Sequence, residues 1–191
     1  MNDTKTIMLV GVGGQGTLLA SRVLGSLLLD AGFDVKVSEV HGMSQRGGSV
    51  VTYIRWGSQV SSPLVHQGQA DYILAFELCE AARWVNHLRA GGTLIANTQK
   101  ILPMPVITGA AQYPQDIETT LPTLCSQPIL VDALAPALEA GSSRAVNVVL
   151  LGVLSRLLDF SPEAWDKALA ACLKPQLLEL NRKAFALGQK L

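Results

Sequence analysis

The stretch Thr6-Ile7-Met8-Leu9-Val10-Gly11-Val12-Gly13-Gly14-Gln15-Gly16-Thr17 decides the fold. Thr6 to Val10 is a short apolar run ending at a glycine, the pattern of a strand buried on both faces. After the glycines, Thr17 to Asp30 carries Leu and Val at three- and four-residue steps, which predicts a helix stopped by Ala31-Gly32. Asp34 to Val40, with Val35, Val37 and Val40 apolar, predicts a second strand. Strand, glycine turn, helix and strand within forty residues make a βαβ unit. In that setting Gly11-x-Gly13-x-x-Gly16 has a mechanism. Glycines permit a tight turn and let a ligand approach the backbone, and the helix N-terminus offers free amides to a phosphate. Gly11, Gly13, Gly14, Gln15 and Gly16 are therefore candidate binding residues; the alternative is a tight turn that holds no nucleotide. Glu39 stands where an acid for a ribose is expected. No Lys follows the glycines, which excludes a Walker loop.

Outward from this unit the chain alternates strands and helices. Strands are predicted at Ser49–Trp56, with a turn at Gly57-Ser58 leading to another near Val60, and at Asp71–Phe76, Thr93–Ala96 and Ile129–Val131. Helices are predicted at Glu77–Leu88, stopped by Ala90-Gly91-Gly92, at Ala133–Ala140 capped by Gly141, and at Ser143–Leu158. Ser161-Pro162-Glu163 and Lys174-Pro175 open the last two. The Pro-rich 103–128 segment suggests a strand around Val106 and a helix from about Gln115 to Leu124. The pattern implies an α/β fold: a Rossmann-like open, mostly parallel sheet with flanking helices, a helical C-terminal segment, and one antiparallel edge pair near Ser49–Val60.

A second glycine loop, His41-Gly42-Met43-Ser44-Gln45-Arg46-Gly47-Gly48-Ser49, follows the second strand. In an open parallel sheet this places it at the carboxyl edge beside the first loop, where ligands bind. Arg46 offers a planar fork for phosphate or carboxylate. Gly47 and Gly48 leave backbone amides accessible, Ser44 and Gln45 add hydrogen-bonding groups, and His41 titrates near neutrality. No nucleophile–base–orienter set is present, so no catalytic residue is assigned. Elsewhere, Asn97 and Thr98 end a strand, where a place on the same sheet edge and a turn cap explain them equally, and Asn147 fits a structural hydrogen bond in an apolar helix. Glu77 and Glu80 fit stabilisation of a helix start. His66 and His87 read as surface or edge residues, and Trp56, Trp84 and Trp165 as buried in core or interface.

The 191 residues suit one domain, 1–191. With 49% apolar and only 16% charged residues the chain is not disordered. A mean hydropathy of +0.31 suggests apolar surface that meets a partner. Fifteen Lys+Arg balance fifteen Asp+Glu, which excludes nucleic-acid binding by bulk charge neutralisation. Cys79, Cys125 and Cys172 have neither disulfide-framework nor CxxC spacing, so no metal or iron–sulfur cluster is expected on this chain. The N-terminus lacks the pattern of a signal peptide, and the chain reads as cytoplasmic. The most apolar run, Ala145–Leu158, is shorter than the ~20 residues that span a bilayer, so no membrane partner is expected.

GVGGQG at 11–16, SEVHGMSQRGGSV at 38–50 and AVNVVLLGVL at 145–154 together resemble the gamma-type module of the 2-oxoacid:ferredoxin oxidoreductases. HGMSQRGGSV is most similar to the form found in beta subunits of the indolepyruvate branch. The likeness runs from Ile7 to the C-terminal helices. It implies a complex that decarboxylates an aryl 2-oxoacid such as indolepyruvate to an acyl-coenzyme A and reduces ferredoxin. It further implies a large alpha subunit carrying thiamine diphosphate, magnesium and iron–sulfur clusters. The small subunit would be inactive alone, complete the active site and help position coenzyme A through Ser44, Gln45, Arg46, Gly47 and Gly48. Isolated, it is expected to form a homo-oligomer. The rival readings are a stand-alone Rossmann-like nucleotide-binding protein, an assembly subunit, and the gamma subunit of a pyruvate or branched-chain 2-oxoacid complex.

Overall fold

The computed structural model describes residues 4–41, 47–126 and 128–191. Among the described residues six strands form one sheet: β1 (Lys5–Val12), β2 (Asp34–His41), β3 (Ser49–Gly57), β4 (Ala70–Ala75), β5 (Leu88–Asn97) and β6 (Ile129–Val131), in the order β2-β3-β1-β4-β5-β6. The pairs β1–β4, β4–β5 and β5–β6 are parallel. β3 pairs antiparallel with both β1 and β2, so five strands share one direction.

Both faces of β1 are covered because its side chains alternate between two apolar layers. Ile7 and Leu9 join a cluster with α1 (Thr17–Asp30), α6 (Val146–Ser155), α7 (Pro162–Cys172) and α8 (Pro175–Gly188). Met8 and Val10 face α2 (Leu78–Trp84) and α4 (Ile117–Leu124) on the other side. The remaining helices are α3 (Met104–Ile107) and α5 (Leu134–Ala140). All ten residues of α6 are buried, and each Val or Leu there contributes about 1.5–3 kcal/mol by leaving water. That explains why the most apolar stretch of the chain forms a core helix. Ser161 caps α7 by accepting from the Ala164 amide at 3.2 Å, with Pro162 in the first turn.

Four expectations are corrected. The antiparallel strand is not at the edge. β3 inserts between β1 and β2, so the first βαβ unit has parallel but non-adjacent strands, and β2 is the edge. Val60 forms no second strand; it is buried, and its amide donates to Asp34 Oδ2 at 2.8 Å. The helix after β4 ends at Trp84, followed by a 3-10 turn (Val85–His87), and β5 begins at Leu88. Gly91 and Gly92 therefore lie inside β5, where pairing with β4 shifts register between Ala70 and Tyr72. A glycine pair marks a bulge as readily as a helix stop. Val106 lies in the one-turn helix α3, because Pro103 and Pro105 lack the amides a strand ladder needs.

Candidate functional site

The two glycine loops meet at the carboxyl edge of the sheet. β1 and β2 run the same way, so their ends lie together, and β3 starts there with Ser49 opposite Val12 and Val50 opposite His41. The loops are then joined by backbone: the Gly13 amide donates to the Gly48 carbonyl at 2.8 Å, and the Gly47 amide donates to the Gly13 carbonyl at 3.4 Å. The juxtaposition expected of a parallel sheet is present, although it is reached through the inserted β3. Ser44, Gln45 and Arg46, together with the side chain of His41, lie outside the described residues.

The first loop is held from within. Gln15 folds back so that its Oε1 accepts from the Val12 amide and its Nε2 donates to the Phe76 carbonyl, both at 2.8 Å. A Cβ at Gly11 would lie 2.9 Å from Gln15 Oε1 and 3.0 Å from Phe76 Cβ, so Gly11 provides the space that the Gln15 side chain fills. Gly16 caps α1 with φ +82, and a Cβ there would meet Asn147 Nδ2 at 2.5 Å. Gly14 is exposed, with open space around it. The amides of Val12, Gly13 and Gln15 are thus engaged inside the protein. A dinucleotide loop would keep such amides for pyrophosphate.

A polar seam continues across the parallel strands. Asn97 is fully buried at the end of β5; its Nδ2 donates to the same Phe76 carbonyl at 3.2 Å, and its Oδ1 accepts from the Ala133 amide at 3.1 Å. The sequence left Asn97 equally open as a turn cap or as a polar residue at the same sheet edge. Its role is to satisfy buried backbone groups where β4, β5 and the segment after β6 converge.

Glu77 and Glu80 are both buried at the start of α2. Glu77 caps the helix by accepting from the Glu80 amide at 2.9 Å, and it also accepts from the Ile101 amide at 3.1 Å and the Tyr113 hydroxyl at 2.5 Å. Burial, reinforced by the bond to Glu77, raises the Tyr113 phenol far above its ordinary range. Glu80 accepts from the Ser49 hydroxyl at 2.5 Å, Arg83 Nε at 3.0 Å and Trp84 Nε1 at 3.3 Å. The Glu80 bond raises the Arg83 pKa, and burial followed by the Glu77 charge pushes the Cys79 thiol up. The dipole reading of these two acids accounts for the cap alone. Their long-range partners carried no sequence signal, because Tyr113 lies 36 residues from Glu77 and Ser49 lies 31 from Glu80.

Three clefts surround the loops. One of about 550 Å³ is bordered by Gly14, Gly16, Gln99, Ser143 and Arg144. The N-terminus of α1 opens on it with no side-chain cap and no acid in the first turn. A second, about 430 Å³, is bordered by Gly47–Gly48, the exposed apolar Leu102, Met104 and Ile107, and by Glu80 and Arg83. A third, about 300 Å³, lies between Gly13–Gly14 and Glu39. Glu39 is on the edge strand, two strands out from β1, where it accepts from the Ser21 hydroxyl at 3.1 Å. Asn147 donates from Nδ2 to the Gly16 carbonyl at 3.1 Å, a structural bond. Among the described residues, no three His, Cys, Asp or Glu side chains are grouped to hold a metal ion. No described helix is long and apolar enough to cross a membrane.

A family model, Pyruvate ferredoxin/flavodoxin oxidoreductase, matches residues 6–191. The chain belongs to the pyruvate ferredoxin/flavodoxin oxidoreductase family. Within that family it is similar to indolepyruvate oxidoreductase subunit IorB of Pyrococcus horikoshii, 42% identical over 189 residues, covering 96% of this chain and 94% of that one. IorB of Archaeoglobus fulgidus is 39% identical over 186 residues, covering 95% and 92%. The family fold is seen in the keto/oxoacid ferredoxin oxidoreductase gamma subunit of Geobacter sulfurreducens (TM-score 0.71, 24% identity, 97% and 96% covered). It is seen also in pyruvate oxidoreductase subunit PORC of Thermotoga maritima (TM-score 0.75, 22% identity, 99% and 97% covered). The resemblance drawn from the glycine motifs and the α6 segment therefore stands: the relatives are small subunits of 2-oxoacid oxidoreductases, and the mostly parallel sheet is theirs.

Proposed function

We propose that residues 1–191 form a single gamma-type domain that serves as the small subunit of a cytoplasmic indolepyruvate-type 2-oxoacid:ferredoxin oxidoreductase. In the complex, the 2-oxoacid is oxidatively decarboxylated, its acyl group passes to coenzyme A, and the electrons go to ferredoxin. The observation that carries this reading is the pair of glycine loops joined through Gly13, Gly47 and Gly48 at one sheet edge. That edge presents backbone and clefts, with no nucleophile–base pair among the described residues there. It suits a surface that closes another subunit's reaction centre.

Thiamine diphosphate, magnesium and iron–sulfur clusters belong in this reading to a large partner subunit. The donors present here do not fit a cluster: the three cysteines are free, half-buried and on separate segments. Coenzyme A fits better. Gly47 and Gly48 border an accessible cleft, and Arg46 in the same loop supplies the charge for a phosphate. Leu102, Met104 and Ile107, each at least half exposed beside that cleft, supply apolar surface for the partner. The engaged amides of Val12, Gly13 and Gln15 weigh against a stand-alone nicotinamide enzyme.

The test is co-expression with a large subunit of an indolepyruvate-type complex, followed by assay of 2-oxoacid- and coenzyme-A-dependent ferredoxin reduction. Activity is expected only in the pair, greatest with aryl 2-oxoacids. Arg46→Ala is expected to raise the KM for coenzyme A. Turnover by the isolated chain would overturn the subunit reading, and an unchanged KM would remove Arg46 from the site.

A further inference from the structure

Among the described residues the second glycine loop is joined to the first by the backbone bonds of Gly13 with Gly47 and Gly48, and a glycine pair is conformationally permissive. A third restraint comes from α2. Ser49, the first residue of β3 and the neighbour of Gly48, donates its hydroxyl to Glu80 Oε2. Glu80 is a rigid anchor. Its side chain is buried, it lies in the first turn of α2, whose N-terminus Glu77 caps, and its other oxygen is held by Arg83. A hydrogen bond to a carboxylate is about twice as strong as a neutral one. We propose that Glu80 is a positioning residue: through Ser49 it sets the Gly47–Gly48 arm against Gly13 and so holds that arm in place to receive the acyl acceptor. This rests on the reading that the second loop meets coenzyme A.

Two measurements separate the proposal from that reading. The first follows hydrogen exchange of the Gly13 amide, bonded to Gly48, in the full chain. Ser49→Ala and Glu80→Ala are expected to speed it about tenfold, the scale set by losing one hydrogen bond to a charged group. Ser49→Thr, which restores the hydroxyl, is expected to return it to the wild-type rate. Trp84→Phe removes a different bond to the same carboxylate and is expected to leave it unchanged. Ser49→Ala keeps the proposal testable if Glu80→Ala fails to fold, because Ser49 is exposed at a strand start. Unaltered exchange in Ser49→Ala overturns the proposal, as does an equal rise in Trp84→Phe. The second measurement takes kcat and KM for coenzyme A in the reconstituted complex. Ser49→Ala is expected to raise KM about fivefold with kcat nearly constant, the pattern of lost uniform binding. Faster exchange with an unchanged KM supports the tether and overturns the assignment of coenzyme A to this loop.

Discussion

Asn147 on α6 donates from Nδ2 to the carbonyl of Gly16 at 3.1 Å, joining the most buried helix to the N-terminus of α1 across 131 residues of chain. The contact leaves no room for a side chain at position 16. It also explains why a polar residue survives in an otherwise apolar helix: the carboxamide is satisfied at both ends, its Oδ1 accepting from the Val148 amide at 2.9 Å.

Gly16→Ala is therefore expected to destabilise the protein more than a helix-propensity scale would suggest, since alanine normally favours helices. The left-handed conformation costs a non-glycine residue about 1–2 kcal/mol, and the new Cβ would sit 2.5 Å from Asn147 Nδ2. Urea denaturation should show a loss of about 2–4 kcal/mol. A change below half a kcal/mol would mean that the loop relaxes freely.

Gln15→Leu keeps the bulk but strands the Val12 amide and removes one donor from Phe76. Each unmet buried group costs about 1–3 kcal/mol. The expected result is a lower midpoint in urea, together with faster exchange at the ends of β1 and β4. If Gln15 served a ligand alone, stability would be unchanged and only activity would fall.

Tyr113→Phe removes a donor from Glu77 and should cost about 1–2 kcal/mol near neutral pH. The pH dependence follows from the raised phenol. Its folded pKa lies above the ordinary 10.0, chiefly through burial. Its stabilising contribution is thus whole below about pH 10 and is lost as pH climbs above the unfolded value toward the folded one. The stability gap between wild type and Tyr113→Phe, measured at about pH 8 and about pH 10.5, should shrink at the higher pH. A widening gap would refute the direction of the shift.

Gly152 and Gly188 bring α6 and α8 into backbone contact. A Cβ at Gly152 would lie 2.2 Å from the Phe185 carbonyl oxygen, and one at Gly188 would lie 2.0 Å from that of Val149. Backbone cannot step aside as a flexible side chain can, so Gly152→Ala should separate the helices and cost about 3 kcal/mol or more. Thermal unfolding reads this directly; a midpoint within a degree of wild type would show that the crossing is looser than described.

Much of the architecture was legible in local pattern. The apolar run before Gly11, the Leu/Val periodicity of Thr17–Asp30 and the Ser161-Pro162 start each reflect interactions within one turn or one strand, and each element formed where expected. The strand proposed at Val106 and the helix proposed through Leu88 failed, because proline and glycine pairs serve several local structures and tertiary pairing chooses among them. Of the candidate site, the two glycine loops and their meeting at one edge were readable. Glu77, Glu80 and Tyr113 as ties were not, since nothing in their spacing marks them as neighbours.

The chain on its own determined which residues are apolar, where turns are permitted and which family carries these motifs, because those properties reside in short stretches of backbone and side chain. Only folding decided that β3 enters between β1 and β2, that Gln15 turns inward to Val12 and Phe76, and that Ser49 reaches Glu80. Those outcomes depend on buried polar groups finding partners dozens of residues away, and the strand order that brings the partners together is set by the packing of both sheet faces at once.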